Sequence, residues 1–199
     1  REDNAAVEIS YEVGDAVTGV HSAPCQRCFW CVRGQENLCE SIMATKVLGS
    51  FSEFLLVPAH IARLNVFPKP DSVSFERASL LEPLACVAQG IEAIPDRADG
   101  RVLVIGPGAI GLLFVAALRL RGFRGVVLAG RIETRLAVGE RLGATTVRLE
   151  ELGKSPEFDV VIECRGHVDV WERAPAHARR GGTVMLFGGC PSGTRASSA

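Results

Sequence analysis

Residues 101–113 read Arg-Val-Leu-Val-Ile-Gly-Pro-Gly-Ala-Ile-Gly-Leu-Leu, and the fold is decided here. Val102 to Ile105 is an unbroken apolar run of the kind found in strands buried on both faces of a parallel sheet. From Ala109 to Arg121 the apolar residues fall at helical spacing. Between the two lies Gly106-Pro107-Gly108-Ala109-Ile110-Gly111, which fits G-x-G-x-x-G. That pattern alone is weak. Placed directly after a strand and at the start of a helix, it describes a dinucleotide loop. Gly106 permits the tight turn, Gly108 lets backbone approach a pyrophosphate, and Gly111 lets helix pack closely on strand. The amides of the first helical turn, Ala109 and Ile110 among them, then face the negative charge.

Working outward, the spacing predicts a second strand at Val126–Ala129 and a helix from Glu133 to Leu142, closed by Gly143. Short strands follow at 145–149, 159–163 and 183–187. Strands alternating with helices predict an α/β architecture, a doubly wound parallel sheet built from right-handed βαβ units. A six-stranded nucleotide fold would carry one more strand, expected beyond residue 199. Roughly twenty residues after the last glycine, an NAD site places Asp or Glu at the end of the second strand. This chain has Ala129-Gly130-Arg131 instead. A guanidinium there suits a 2′-phosphate, with Arg135 one helical turn on to assist, so NADP(H) is favoured over NAD(H). A solvated surface arginine is the plain alternative. Glu133 suits the N-terminal end of its helix dipole.

Upstream, the polar cluster at 95–100 marks the expected boundary, giving domains 1–97 and 98–199. Within the first, Gly14-Asp15 predicts a turn between two strands, 49–65 reads as two short strands broken at Pro58, and 68–75 is a proline-rich connector. One or two helices are expected over 75–94, with Ser74 ahead of them. The lobe at 23–40 holds Cys25-x2-Cys28-x2-Cys31-x7-Cys39, four soft ligands on one short loop. Four thiolates suit tetrahedral Zn²⁺ and leave no open position, so the metal would be structural. Free or disulfide-paired cysteines, or an iron–sulfur cluster, are the alternatives; Glu40 follows Cys39 where a ferredoxin-type run has proline. Cys86, Cys164 and Cys190 read as small buried residues, and His21 and His60 as loop or surface histidines.

Composition narrows the classes further. In 199 residues, 47% are hydrophobic and the net charge is −1, which excludes a strongly basic nucleic-acid binder. Residues 1–97 carry 8 basic and 13 acidic side chains, whereas 98–199 carry 14 and 10, so the second half suits an anionic small molecule. The longest apolar run, Ala109 to Leu118, is too short to span a bilayer. Charges at Arg1, Glu2, Asp3 and Glu8 do not read as a secretory signal, and seven cysteines do not read as a disulfide framework. A cytoplasmic chain without membrane or nucleic-acid partners is expected.

The segments V-G-D-A-V (13–17), P-C-Q-R-C-F-W-C-V-R-G-Q-E-N-L-C (24–39), G-S-F-S-E-F (49–54), L-E-P-L-A-C (81–86), 102–113 and G-G-T-V-M-L-F-G-G (181–189) stand in a telling order. In that order the chain resembles the medium-chain dehydrogenase/reductase family, the zinc-dependent alcohol and polyol dehydrogenases. The resemblance implies a partial GroES-like, mainly-β catalytic domain with a structural zinc lobe, then a Rossmann domain. It implies hydride transfer between an alcohol and a nicotinamide cofactor, a small alcohol or carbonyl substrate, and a homo-oligomer. It places Gly188 near the nicotinamide. The family's second, catalytic zinc is held by an early Cys, a His-Glu pair and often a further carboxylate, of which only Glu82 is present. The chain therefore reads as a fragment truncated at both ends and inactive by itself. The alternative function is a dinucleotide-binding, zinc-stabilised protein without turnover.

Overall fold

A computed structural model describes residues 11–95, 100–153 and 157–195. The chain forms two compact units that divide between Glu82 and Pro83. The boundary expected at 97/98 falls at residues 96–99, outside the described residues, and the observed division lies inside the helical region expected over 75–94.

In the first unit, β1 (Val17–Gly19) follows a turn in which the Asp15 amide donates to Glu12 O at 3.1 Å. Of the strand expected before that turn, 11–13 is not extended into a ladder and 1–10 lies outside the described residues. Residues 49–65 correct the sequence reading: they contain no strand, and Ala59–Asn65 is a helix, α1. Pro58 does not interrupt a strand but stands at the helix N-cap (φ −57°), a position where its missing N–H costs nothing. Alanine, leucine and arginine then favour the helix, which buries Ile61 alone. β2 (Val66–Pro68) takes three residues at the edge of the supposed connector and pairs antiparallel with β1, Thr18 opposite Phe67. Ser74 caps α2 (Phe75–Ala78) by accepting from the Arg77 amide at 3.3 Å, as its position predicts. α3 runs Leu81–Glu92.

In the second unit, β3 (Arg101–Ile105) leads through the glycine loop into α4 (Ala109–Leu120). β4 (Gly125–Gly130), α5 (Glu133–Arg141) and β5 (Thr145–Arg148) follow. β6 (Phe158–Glu163), α6 (Val168–Arg173) and β7 (Ala178–Leu186) complete it. The described strands form a parallel sheet ordered β5-β4-β3-β6-β7, the doubly wound topology read from the sequence. Sequence order reverses between β3 and β6, which is where such sheets open a crevice at their carboxyl ends. α6 was not foreseen, being too short to show a periodicity. β7 starts five residues before the expected strand because its first part is irregular, shifting register between Phe158 and Val160 of β6.

Burial explains why these segments fold as they do. Val102, Leu103 and Val104 are fully buried, so β3 needs apolar residues on both faces. α4 buries Gly111, Phe114, Val115 and Leu118, an i, i+3, i+4, i+7 stripe. α3 buries Val87, Gly90 and Ile91, so Cys86, one position off that stripe, is exposed rather than buried as the sequence reading had it. Phe114 meets Phe187 edge to face, ring centroids 4.8 Å apart. Phe114→Ala is expected to cost about 3–5 kcal/mol, the range for large buried aromatics. A urea titration followed by circular dichroism measures it, and a loss below about 1 kcal/mol would mean that the sheet does not depend on this packing.

Candidate functional site

The glycine loop crosses the carboxyl end of β3. Gly106 has φ +112°, which L side chains rarely adopt, and its N–H donates to Ala129 O at 2.9 Å, tying the turn to β4. A Cβ at Gly111 would stand 1.9 Å from Gly106 O, so only glycine lets α4 begin this close to the turn. A Cβ at Gly108, by contrast, would meet nothing within 4 Å. Gly108 is the N-cap of α4, and the open space above its backbone is the approach that a pyrophosphate needs. Ala109 and Ile110 supply the first helical amides there. The loop thus fits a dinucleotide on its own geometry.

At the end of β4, a Cβ on Gly130 would lie 2.4 Å from Pro107 Cδ, so this glycine makes room for the glycine loop itself. Arg131 follows, exposed, with Nε 2.9 Å from Glu150 Oε1. Arg148, opposite Gly130 in the β4–β5 register, pairs with Glu133. The sequence reading found Arg131 and Glu133 but not their partners, which come from β5 and the turn after it. Arg135 is exposed and in no ion pair among the described residues.

On the other side of β3, β6 ends in Glu163, whose carboxylate is fully buried. It accepts from the Arg165 amide at 2.6 Å, from the Gly166 amide at 3.0 Å and from Trp171 Nε1 at 2.9 Å. Trp171 Nε1 also donates to Gly188 O at 3.1 Å, and the Gly188 amide donates to Glu163 O at 2.9 Å. Gly188 thus sits where two loops meet: a Cβ on it would stand 2.3 Å from the Gly166 nitrogen. Burial, and then the Glu163 carboxylate beside it, push the Cys164 thiol up. Sequence reasoning missed Glu163. Its only sign was a carboxylate closing the apolar run Val160-Val161-Ile162.

In the first unit, Cys25, Cys28, Cys31 and Cys39 bring their sulfurs within 4.8 Å of one another, as their spacing predicts. Cys28 and Cys31 Sγ are 3.5 Å apart, and Cys25 and Cys31 Sγ 4.0 Å. A tetrahedron of Zn–S bonds has S–S edges of about 3.8 Å, so the cluster fits that ion. Amides point inward as well: Cys25 N donates to Cys39 Sγ at 3.3 Å and Cys28 N to Cys25 Sγ at 3.4 Å. The Ser41 hydroxyl, then the Cys25 amide, hold the Cys39 thiol down to about 6, and the Cys31 amide lowers that of Cys28. Burial pushes Cys31 up to about 12, the cost of a thiolate with no cation beside it. Glu82, in the first turn of α3, joins no group of three or more potential metal ligands among the described residues. No described helix is long and apolar enough to cross a membrane.

Residues 75–197 match the family model for the glucose dehydrogenase C-terminus, and residues 4–71 that for the alcohol dehydrogenase GroES-like domain. D-altritol 5-dehydrogenase of Agrobacterium fabrum is 35% identical, the match covering 95% of this chain and 57% of that protein. L-threonine 3-dehydrogenase of Shewanella baltica is 31% identical, covering 94% and 56%. Among solved structures, a protein from Sinorhizobium meliloti 1021 described as a zinc-binding dehydrogenase, bound to NADP, superposes with a TM-score of 0.83 at 30% identity, covering 96% of this chain and 59% of that one. An alcohol dehydrogenase from Thermus sp. ATN1 gives 0.82 at 27%, covering 94% and 59%. Matches over both units show that the chain belongs to the medium-chain dehydrogenase/reductase family. It spans somewhat more than half the length of the relatives it matches.

The glycine geometry makes a prediction that needs no ligand. Gly111→Ala must push α4 off the Gly106 carbonyl, and a loss of about 1–3 kcal/mol is expected from such overpacking. Gly108→Ala, with open space around it, should change stability by under about 1 kcal/mol, the helix-propensity scale. Thermal melts of the two variants side by side check the contrast, and equal melting points would contradict it.

Proposed function

We propose that this chain serves a zinc-containing, NADP(H)-preferring oxidoreductase that moves hydride between the carbon of an alcohol or polyol and a nicotinamide. The observation that carries the reading is the open backbone at Gly108, set at the start of α4 and at the reversal of strand order. When bound, the dinucleotide supplies the hydride chemistry, and the protein supplies binding and orientation. The amides at the start of α4 hold the pyrophosphate. Gly130 keeps Pro107 seated, so the loop presents those amides in one arrangement. Gly188 offers backbone toward the nicotinamide end, and the Glu163–Trp171 bonds fix where it lies.

Arg131 is the residue for a 2′-phosphate. Its pair with Glu150 is exposed on both sides, and such pairs contribute roughly 0–1 kcal/mol. A charge-assisted contact to phosphate contributes about 1.5–3 kcal/mol. The phosphate therefore wins the guanidinium from Glu150. The thiol cluster is assigned to structural zinc: four sulfurs close the coordination shell and leave no place for substrate. Reduced thiols of this kind suit a cytoplasmic protein. Among the described residues the four cysteines are the group of three or more potential ligands, and Glu82 stands outside it. The second reading is a chain that binds dinucleotide without turning over.

Three measurements test the proposal. Fluorescence titration should show NADPH binding about tenfold tighter than NADH, with Arg131→Ala erasing the preference; equal affinities in the native chain would show Arg131 serving the surface only. Metal analysis after gel filtration should find one zinc per chain and none in Cys28→Ser/Cys31→Ser, whereas bound iron would sink the assignment. Oxidation of alcohols and polyols with NADP⁺ separates the two readings, since binding without turnover supports the second.

A further inference from the structure

Arg165 is the cation that the glycine loop lacks in its own sequence. Among the described residues its guanidinium has no acidic partner, and the side chain is half-buried. Its Cγ lies so near the turn that a Cβ on Gly106 would stand 2.7 Å from it. The loop carrying Arg165 is tied to β3 as well: the Cys164 amide donates to Ile105 O at 2.9 Å. The stem of an arginine is thus laid against the first glycine of the dinucleotide loop, within reach of the phosphate position.

What holds it there is the buried carboxylate of Glu163. A fully buried carboxylate costs several kcal/mol unless donors surround it. Here no cation pairs with it among the described residues, and its compensation comes from the Arg165 and Gly166 amides and from Trp171 Nε1. Those donors belong to the segment that presents Arg165. The charge therefore cannot be removed without releasing the amides that fix this segment, and a neutral amide side chain there would aim an N–H at another N–H. Because Trp171 also bonds Gly188 O, the same carboxylate sets the far wall of the crevice.

We propose that Arg165 binds the pyrophosphate of the dinucleotide, and that Glu163 is the positioning residue that places it. The assignment to pyrophosphate follows from the sheet order. Arg131 follows β4 on one side of β3, at the adenosine end, whereas Arg165 follows β6 on the other. A group between them, over Gly106, meets what NADH and NADPH share. The inference rests on the dinucleotide reading above and can fail separately from it.

The test is fluorescence titration of the full 199-residue chain with NADPH and with NADH, beside thermal melts. Arg165→Gln should weaken both nucleotides by about tenfold or more and by similar factors, the scale of one lost charge-assisted contact. It should also flatten the salt dependence of binding and leave the melting point within a degree or two. Arg165→Lys, which keeps the charge but not the fork, should fall between. Glu163→Gln should lower the melting point and weaken both nucleotides, and adding Arg165→Gln to it should cost little more, since the two act as one unit. Additive losses would reduce Glu163 to a structural role and overturn the positioning claim. Native affinity in Arg165→Gln would overturn the phosphate assignment while leaving the dinucleotide reading intact. A native chain that binds neither nucleotide would overturn that reading and this inference with it.

Discussion

One contact governs the second unit: the start of α4 lies against the carbonyl of Gly106, at a separation that no side chain at residue 111 could share. Backbone this close to backbone aims the first helical amides over the end of β3 instead of away from it. The turn is then tied to β4 through the Gly106 amide, while Gly130 yields its side-chain space to Pro107. Three residues without Cβ atoms, one of them on the neighbouring strand, thus specify one loop conformation. The apolar stripe of α4 does the rest. Phe114, Val115 and Leu118 bury completely against the sheet, so the helix cannot tilt to relieve the contact. Such tight packing transmits a small change at the loop into the core.

The carboxyl end of the sheet beside that loop is charged and is stabilised differently on its two sides. On the β4 side the charges are exposed ion pairs, Arg131 with Glu150 and Arg148 with Glu133. Solvent screens them, they contribute little to folding, and they can exchange partners at small cost. On the β6 side a carboxylate without solvent, held by amides and an indole, anchors the segment that carries the half-buried Arg165. That arrangement cannot exchange partners without exposing a buried charge. One side can trade ion pairs with what binds, whereas on the other the segment carrying Arg165 is fixed beforehand, a division suited to a ligand whose ends differ and whose middle is constant.

How much of this the residues announced depends on the range of the interactions. The β3 run, the glycine loop and the four cysteines are local patterns, and the structure places each where its spacing predicts. α1 is not legible in the sequence, because Pro58 reads equally as a strand breaker and as a helix start, and the helix buries Ile61 alone, too little apolar periodicity to distinguish helix from strand. The partner of Arg131 is nineteen residues away in sequence, and nothing in residues 129–135 could reveal it. Glu163 was hidden for a related reason. Its donors are amides two and three residues on and one indole eight residues on, and nothing in the sequence says that the carboxylate turns back onto them. A carboxylate that closes an apolar run such as Val160-Val161-Ile162 is the signal to look for, since burial without a cation demands such a cage.

The cysteine lobe follows another logic, because it has almost no core. From 24 to 40 the buried residues are Cys31 and Cys39, while Phe29, Val32 and Leu38 are largely exposed. Its shape rests on two short 3-10 turns, on Gly34 at φ +74° and on amides that converge on sulfur. Arg33 lies over the Phe29 ring at 3.6 Å, a contact at the surface and not a substitute for packing. Seventeen residues ordered at about 1–2 kcal/mol each for the backbone cannot be offset by two buried thiols. Four sulfurs within 4.8 Å, one of them held down to about 6 and another pushed up to about 12, repel one another once ionised. A divalent cation removes both difficulties at once, because its binding energy is also folding energy. Under the proposed assignment the lobe's order depends on its metal, whereas the glycine loop is held by close packing and by the Gly106 amide.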